Sequence, residues 1–222
     1  GPEASKPVME GKGLLFKIFA DIDVFDIEIG TKDIEEFIQT VKNISPTFGG
    51  INLEDIKAPE SFEIERRLVE ELNIPVMHDD QHGTAIISSA ALINALELAG
   101  KKAEEVKMVV SGAGSAAIAC ADLYVLLGVK RENIVMFNSK GMLTKDNPSL
   151  SALQQKYAKD IPAKSLEDAL VNADIFLGLS TGDIMTPQML LGMAENPIVF
   201  AMANPDPEIN YDLAIATRKD II

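Results

Sequence analysis

From Val106 onward the chain alternates strand and helix with little between them, and that alternation constrains the fold more than any other feature. Val106 to Val110, Asn133 to Phe137, Ala173 to Leu179 and Ile198 to Met202 are apolar runs of strand length. Helical stretches separate them: Gly114 to Leu127, Leu150 to Tyr157, Ser165 to Val171 and Pro187 to Met193. Apolar strands joined through helices are buried on both faces, which calls for a doubly wound parallel sheet of the α/β class. The first strand-to-helix connection reads Val109-Val110-Ser111-Gly112-Ala113-Gly114-Ser115-Ala116-Ala117. Gly112 permits a tight turn, Gly114 lets the backbone approach a pyrophosphate, and Ala117 is small where helix and sheet pack closely. Free N–H groups at the helix start suit phosphate. Gly112, Ala113, Gly114, Ser115, Ala116 and Ala117 are therefore candidate contacts for a dinucleotide in a Rossmann-like domain. The alternative is a tight turn that binds nothing.

Residues 1–83 read as part of a smaller α/β domain, and residues 84–222 as the dinucleotide-binding domain. Met9 to Phe19 has apolar residues at helical spacing, and Ile22 to Ile29 alternates like a strand. Thr31 opens a helix running to Asn43, Ser61 caps another through Leu72, and a long apolar helix, Thr84 to Leu98, follows Gly83 and stops at Gly100. One short strand ends at Leu53 and a second spans Ile74 to Met77.

Those two strands run into acidic pairs, Glu54-Asp55 and Asp79-Asp80. Carboxylates at strand ends sit on the rim of a sheet, and two converging pairs make an oxygen-rich site suited to Mg²⁺ or Mn²⁺. Neighbouring residues of a strand face opposite ways, so Asp79 and Asp80 should divide, one to the metal and the other to a different partner. Either pair alone is equally well a helix cap. His78 and His82 straddle the second pair and raise a zinc alternative, though one helical face holding both is doubtful. Lys12, between Gly11 and Gly13 and ahead of Leu14-Leu15-Phe16, is a candidate base if burial lowers its pKa. At the end of the second Rossmann-like strand stand Asn138, Ser139 and Lys140, where an acid usually holds the ribose of NAD. A neutral residue beside a lysine slightly favours the 2′-phosphate of NADP, leaving the choice of NAD or NADP open.

A formal charge of −14 argues against nucleic acid or an anionic membrane as partner. No apolar run approaches the length of a bilayer span, and no secretory signal is visible. Cys120 is the single cysteine and fits a reducing, cytoplasmic setting; its place on the apolar face of a helix reads as core. The chain starts at Gly1-Pro2 and stops at Asp220-Ile221-Ile222, a strand-like tail with nothing evident to pair it, so it reads as a fragment.

Lys12, Glu54-Asp55, Asp79-Asp80 and the Gly112–Ala117 turn, in that order, resemble the malic enzymes of the shorter, bacterial type. The resembling segments are Gly1 to Ser5 with Pro7 to Lys12, Phe48 to Asp55, His78 to Ala85, the glycine turn and Ala203-Asn204-Pro205. By that resemblance Glu54, Asp55 and Asp80 would ligate Mg²⁺ or Mn²⁺, and Lys12 would contact substrate as general base with Asp79 orienting it. Asn204 would bind substrate beside the cofactor, and Thr84 would lie near the cofactor. The family oxidatively decarboxylates L-malate to pyruvate and CO₂ while reducing NAD(P)⁺, as a homodimer or a dimer of dimers. The family's proton-donating tyrosine matches none of Tyr124, Tyr157 and Tyr211, so the chain by itself is expected to be inactive. The rival readings are a metal-free NAD(P)-dependent dehydrogenase and a non-catalytic cofactor-binding fragment.

Overall fold

The computed structural model describes residues 2–57, 59–163 and 165–222. The chain divides into two compact units, Gly1–Asp80 and Gln81–Ile222. The division falls three residues before the boundary expected at Gly83. The reason is local: the helix expected to start after Gly83 already starts at Asp79, so the glycine marks no break.

The first unit contains α1 (Pro2–Ala20), α2 (Ile34–Ile44), β1 (Ile51–Leu53), α3 (Glu60–Glu71), β2 (Val76–His78) and the first two residues of α4 (Asp79–Ala99). Asp33, not Thr31, caps α2: its carboxylate accepts the Glu36 N–H, while the Thr31 hydroxyl accepts the Asp33 N–H. Ser61 is not a cap either. It lies buried inside α3, whose flanking residue is Pro59. The crossover through α3 makes β1 and β2 a parallel pair, with Ile51 opposite Val76 and Leu53 opposite His78. Ile38, Val41, Leu53, Ile64 and Leu68 form the core of this unit.

Residues 22–29 form no strand. The alternation predicts a strand there, but alternation says nothing of a partner, and no ladder forms. Ion pairs hold the segment instead, from Lys6 to Asp26 at 2.6 Å and from Lys17 to Asp23 at 2.9 Å.

The second unit takes up α4 from Gln81 and continues with β3 (Met108–Ser111), α5 (Ser115–Leu126), β4 (Ile134–Asn138), β5 (Gly141–Met142), α6 (Ala152–Gln155) and α7 (Leu166–Leu170). Then come β6 (Ile175–Gly178), α8 (Pro187–Gly192), β7 (Ile198–Ala201) and α9 (Tyr211–Thr217). The sheet order is β5-β4-β3-β6-β7. All neighbours run parallel except β5, which folds back against the end of β4. Alternate residues of the strands enter separate cores. Met108, Val110, Ile134 and Met136 join Leu92, Ala117, Cys120 and Tyr124, whereas Val109 and Phe176 join Leu170, Leu190 and Ala214. Helices thus cover both faces, the doubly wound α/β architecture.

Two short elements, β5 and α9, were not anticipated. The tail was expected to lack a partner, yet Ile222 donates its N–H to the Pro197 carbonyl and accepts that of Val199, both at 2.9 Å. These two bonds are those of a parallel bridge beside β7. Among the described residues no helix is long and apolar enough to cross a membrane.

Candidate functional site

In the first unit, the register of β1 against β2 sets everything that follows. Because Leu53 faces His78, the chain segments leaving the two strands, Glu54-Asp55 and Asp79-Asp80, emerge side by side. Asp55 turns the chain with φ 54°, a left-handed conformation that aspartate tolerates better than most residues. Its N–H donates to Asp80 Oδ2 at 3.1 Å. Glu54, Asp55 and Asp80 each offer a carboxylate oxygen within 4.8 Å of the others. That span suits one divalent ion holding oxygens at about 2.0–2.6 Å, given small side-chain adjustments.

Asp79 pairs with the Lys12 ammonium, which also lies 2.9 Å from Glu54. The two aspartates do part company, but for a different reason from the one expected. They open α4 rather than close a strand, so the helical turn separates them, and its N-terminal dipole favours their charge. Burial draws the Lys12 pKa down, but hydrogen bonds and charge from Asp79 and Glu54 outweigh it and raise the group above an ordinary lysine. Lowering by burial alone is therefore not what the geometry gives. A cleft of about 1160 Å³ in this unit is lined by Lys12, Glu54 and Asp55 together with apolar Phe25, Ile27 and Phe37.

Neither histidine joins the carboxylate group. His78 is buried, with Nε2 3.2 Å from the Ile56 carbonyl, and its backbone N–H donates to Glu65 at 2.7 Å. Glu65 and His78 thereby brace the segment that carries Glu54 and Asp55. His82 lies within α4.

In the second unit, β3 sits between β4 and β6, so chains depart from it in both directions and a crevice opens beyond its carboxyl end. Gly112 occupies that end with φ 121°, and a Cβ there would lie 2.4 Å from the Leu179 carbonyl oxygen. Gly114 precedes α5 as an exposed residue, and a Cβ there would meet nothing within 4 Å. Ser115 and Ala116 are half-buried, while Ala113 and Ala117 are buried, with Ala117 packed in the core. The turn is tight, open on its outer side and followed by a helix N-terminus, the arrangement that binds a pyrophosphate. Asn138 ends β4, and its side-chain oxygen accepts the Lys140 N–H at 2.8 Å. That leaves the amide NH₂ as its remaining polar group, with Ser139 and Lys140 exposed beside it. Thr84 lies half-buried in α4, and Asn204 stands exposed just past β7.

A residue that the sequence reading missed lies behind Asn204. Glu208 is fully buried, and its carboxylate accepts N–H bonds from Ser180 and Ala203. An acid whose partners are the backbone amide five residues before it and a serine 28 residues before it leaves no pattern in a sequence.

The comparisons with known proteins fall on the same two units. Residues 81–218 match the family model described as "Malic enzyme, NAD binding domain", and residues 30–69 match "Malic enzyme, N-terminal domain". A curated NADP-dependent malic enzyme of Halomonas elongata is 53% identical over 222 residues, covering 100% of this chain and 53% of that protein. An NAD-dependent malic enzyme of Rhizobium meliloti is 53% identical over 221 residues, covering 99% of this chain and 29% of that protein. The crystal structure of an NAD-dependent malic enzyme from Thermotoga maritima superposes with a TM-score of 0.91 at 47% identity, covering 98% of this chain and 59% of that one. The chain thus spans about half the length, or less, of the curated relatives it matches. Since the first family model takes in well over half of the residues and identity holds across the full chain, the chain belongs to the malic enzyme family.

Proposed function

We propose that the chain carries the carboxylate-bearing and cofactor-binding parts of an enzyme that converts L-malate to pyruvate and CO₂ with reduction of NAD⁺ or NADP⁺, dependent on Mg²⁺ or Mn²⁺. The observation that carries this reading is the β1–β2 register, which brings Glu54, Asp55 and Asp80 within 4.8 Å of one another and next to Lys12. An all-oxygen set of three carboxylates matches a hard divalent cation and leaves room for a hydroxy acid and water. When bound, such a cation supplies the positive charge that draws in the substrate, acidifies its hydroxyl and competes with Lys12 for Glu54.

In this scheme Lys12, once it has given up the proton that Asp79 and Glu54 favour, takes that of the C2 hydroxyl while C2 gives up hydride to the nicotinamide. Asp79 holds the Lys12 ammonium and balances the charge it acquires. The C3–C4 bond then breaks, CO₂ leaves, and C3 takes up a proton from an acid. The Gly112–Ala117 turn and the start of α5 hold the pyrophosphate, Asn138 to Lys140 face the adenosine ribose, and the Asn204 amide bonds substrate beside the cofactor. Thr84 stands in the same unit as the cofactor turn. The names of the relatives, NADP-dependent and NAD-dependent malic enzymes, support both cofactors equally.

The test is a calorimetric titration of Mn²⁺ into the chain and its Asp80→Asn variant. We expect the variant to lose about tenfold or more in Mn²⁺ affinity with dinucleotide binding unchanged. Equal Mn²⁺ affinity in the two proteins would show the carboxylate cluster to be structural and favour a metal-independent dehydrogenase.

A further inference from the structure

Glu208 lies at 0% exposure, one of the few charged side chains removed from solvent among the described residues. One carboxylate oxygen accepts the Ser180 N–H at 2.9 Å and the Ser180 hydroxyl at 3.4 Å, and the other accepts the Ala203 N–H at 3.0 Å. Ser180 follows the carboxyl end of β6 and Ala203 that of β7. A single side chain therefore ties together two neighbouring strand ends at the rim of the sheet. Further bonds close the same seam: Asp183 N–H to the Pro207 carbonyl at 3.0 Å, and Met185 N–H to that of Glu208 at 2.9 Å.

The surrounding backbone is shaped around this contact. A Cβ at Gly178 would lie 2.3 Å from the Glu208 carboxyl carbon, and one at Gly182 would lie 2.7 Å from the Asp206 carbonyl oxygen. Burying a carboxylate is costly unless its oxygens are hydrogen-bonded, and here both are. A glutamine cannot repeat the arrangement, because its NH₂ would face a backbone N–H in place of an acceptor.

In a doubly wound sheet the two halves of a dinucleotide lie on opposite sides of the switch point. With β4 on the adenosine side, the ends of β6 and β7 fall to the nicotinamide half. We propose that Glu208 is a positioning residue for that half: it fixes the Ser180 and Ala203–Asn204 rim against which the nicotinamide riboside sits. The proposal rests on the dinucleotide reading of the Gly112–Ala117 turn.

The experiment compares NAD⁺, NADP⁺ and ADP binding to the 222-residue chain by calorimetry, for the wild type, Glu208→Gln and Glu208→Asp. ADP reports the adenosine half alone. The expected result is a loss of about tenfold or more for the dinucleotide in Glu208→Gln, with ADP affinity unchanged. Should that variant fail to fold, Glu208→Asp carries the same comparison, since it keeps both oxygens on a shorter stem. A variant that binds dinucleotide like the wild type, or that loses ADP and dinucleotide equally, overturns the role given to Glu208. A wild-type chain that binds neither dinucleotide overturns the cofactor reading and this proposal together.

Discussion

Two glycines two residues apart, Gly112 and Gly114, separate what a residue does for folding from what it does for a ligand. At Gly112 a side chain meets both a left-handed backbone and the Leu179 carbonyl. Gly112→Ala should cost about 2–4 kcal/mol, read as a lowered chemical denaturation midpoint. At Gly114 the backbone is extended and the space is open, so Gly114→Ala should leave the midpoint nearly unchanged while weakening dinucleotide binding. Equal midpoints for both variants would mean that the close approach at Leu179 relaxes freely. The turn at Gly112 was legible because a positive φ in a tight turn selects glycine. Lys12 was less legible. Its place in the chain suggested burial, but whether burial or neighbouring carboxylates wins depends on which groups arrive at 2.9 Å from another part of the chain. Glu208 was not legible at all.

Elements show the same gradient. The four parallel strands of the second unit were readable because strands buried on both faces are unbroken apolar runs. By contrast β5 is two residues long and exists only through pairing with β4. Helix α9 did carry a signal, since Asn210 accepts N–H bonds from Asp212 and Leu213 as its cap, but it is a single short run. Residues 22–29 erred the other way, a strand pattern without a neighbour. The edge beyond β7 depends on Arg218, whose guanidinium bonds the carbonyls of Leu190, Met193 and Ala194 and both oxygens of Asp220. It therefore serves the end of α8, where carbonyls lack helical partners, and steadies the Ile222 bridge. Arg218→Lys keeps the charge but loses the planar fork. It should destabilise the chain by about 1–3 kcal/mol and speed hydrogen exchange at the Val199 amide. An unchanged exchange rate there would disconnect the arginine from the edge.

For the molecule as a whole, two buried phenols set an alkaline limit. Burial raises the pKa of Tyr124, and burial followed by the bond to Asp122 raises that of Tyr157. Both exceed the value of about 10 expected in the unfolded chain. Their contribution to stability is therefore complete below about pH 10 and is lost as pH climbs past it. Unfolding free energy measured against pH should fall on that side, and Tyr124→Phe should flatten the slope; an unaltered slope would assign the limit to other groups. A second consequence concerns the route to the fold. The register of β1 and β2 that gathers Glu54, Asp55, Asp79 and Asp80 places like charges together, against the single ammonium of Lys12, at the moment the strands zip. The pair is joined through a long crossover, so closure is already slow on topological grounds. Electrostatic repulsion then acts as a brake on the folding clock of the first unit, and mobile ions release it. Refolding followed by stopped-flow should quicken as salt is added, and Asp80→Asn should refold faster at low salt with a shallower salt dependence. A variant with the same salt slope as the wild type would place the brake in the overall charge of −14, and not in the gathering of those four carboxylates.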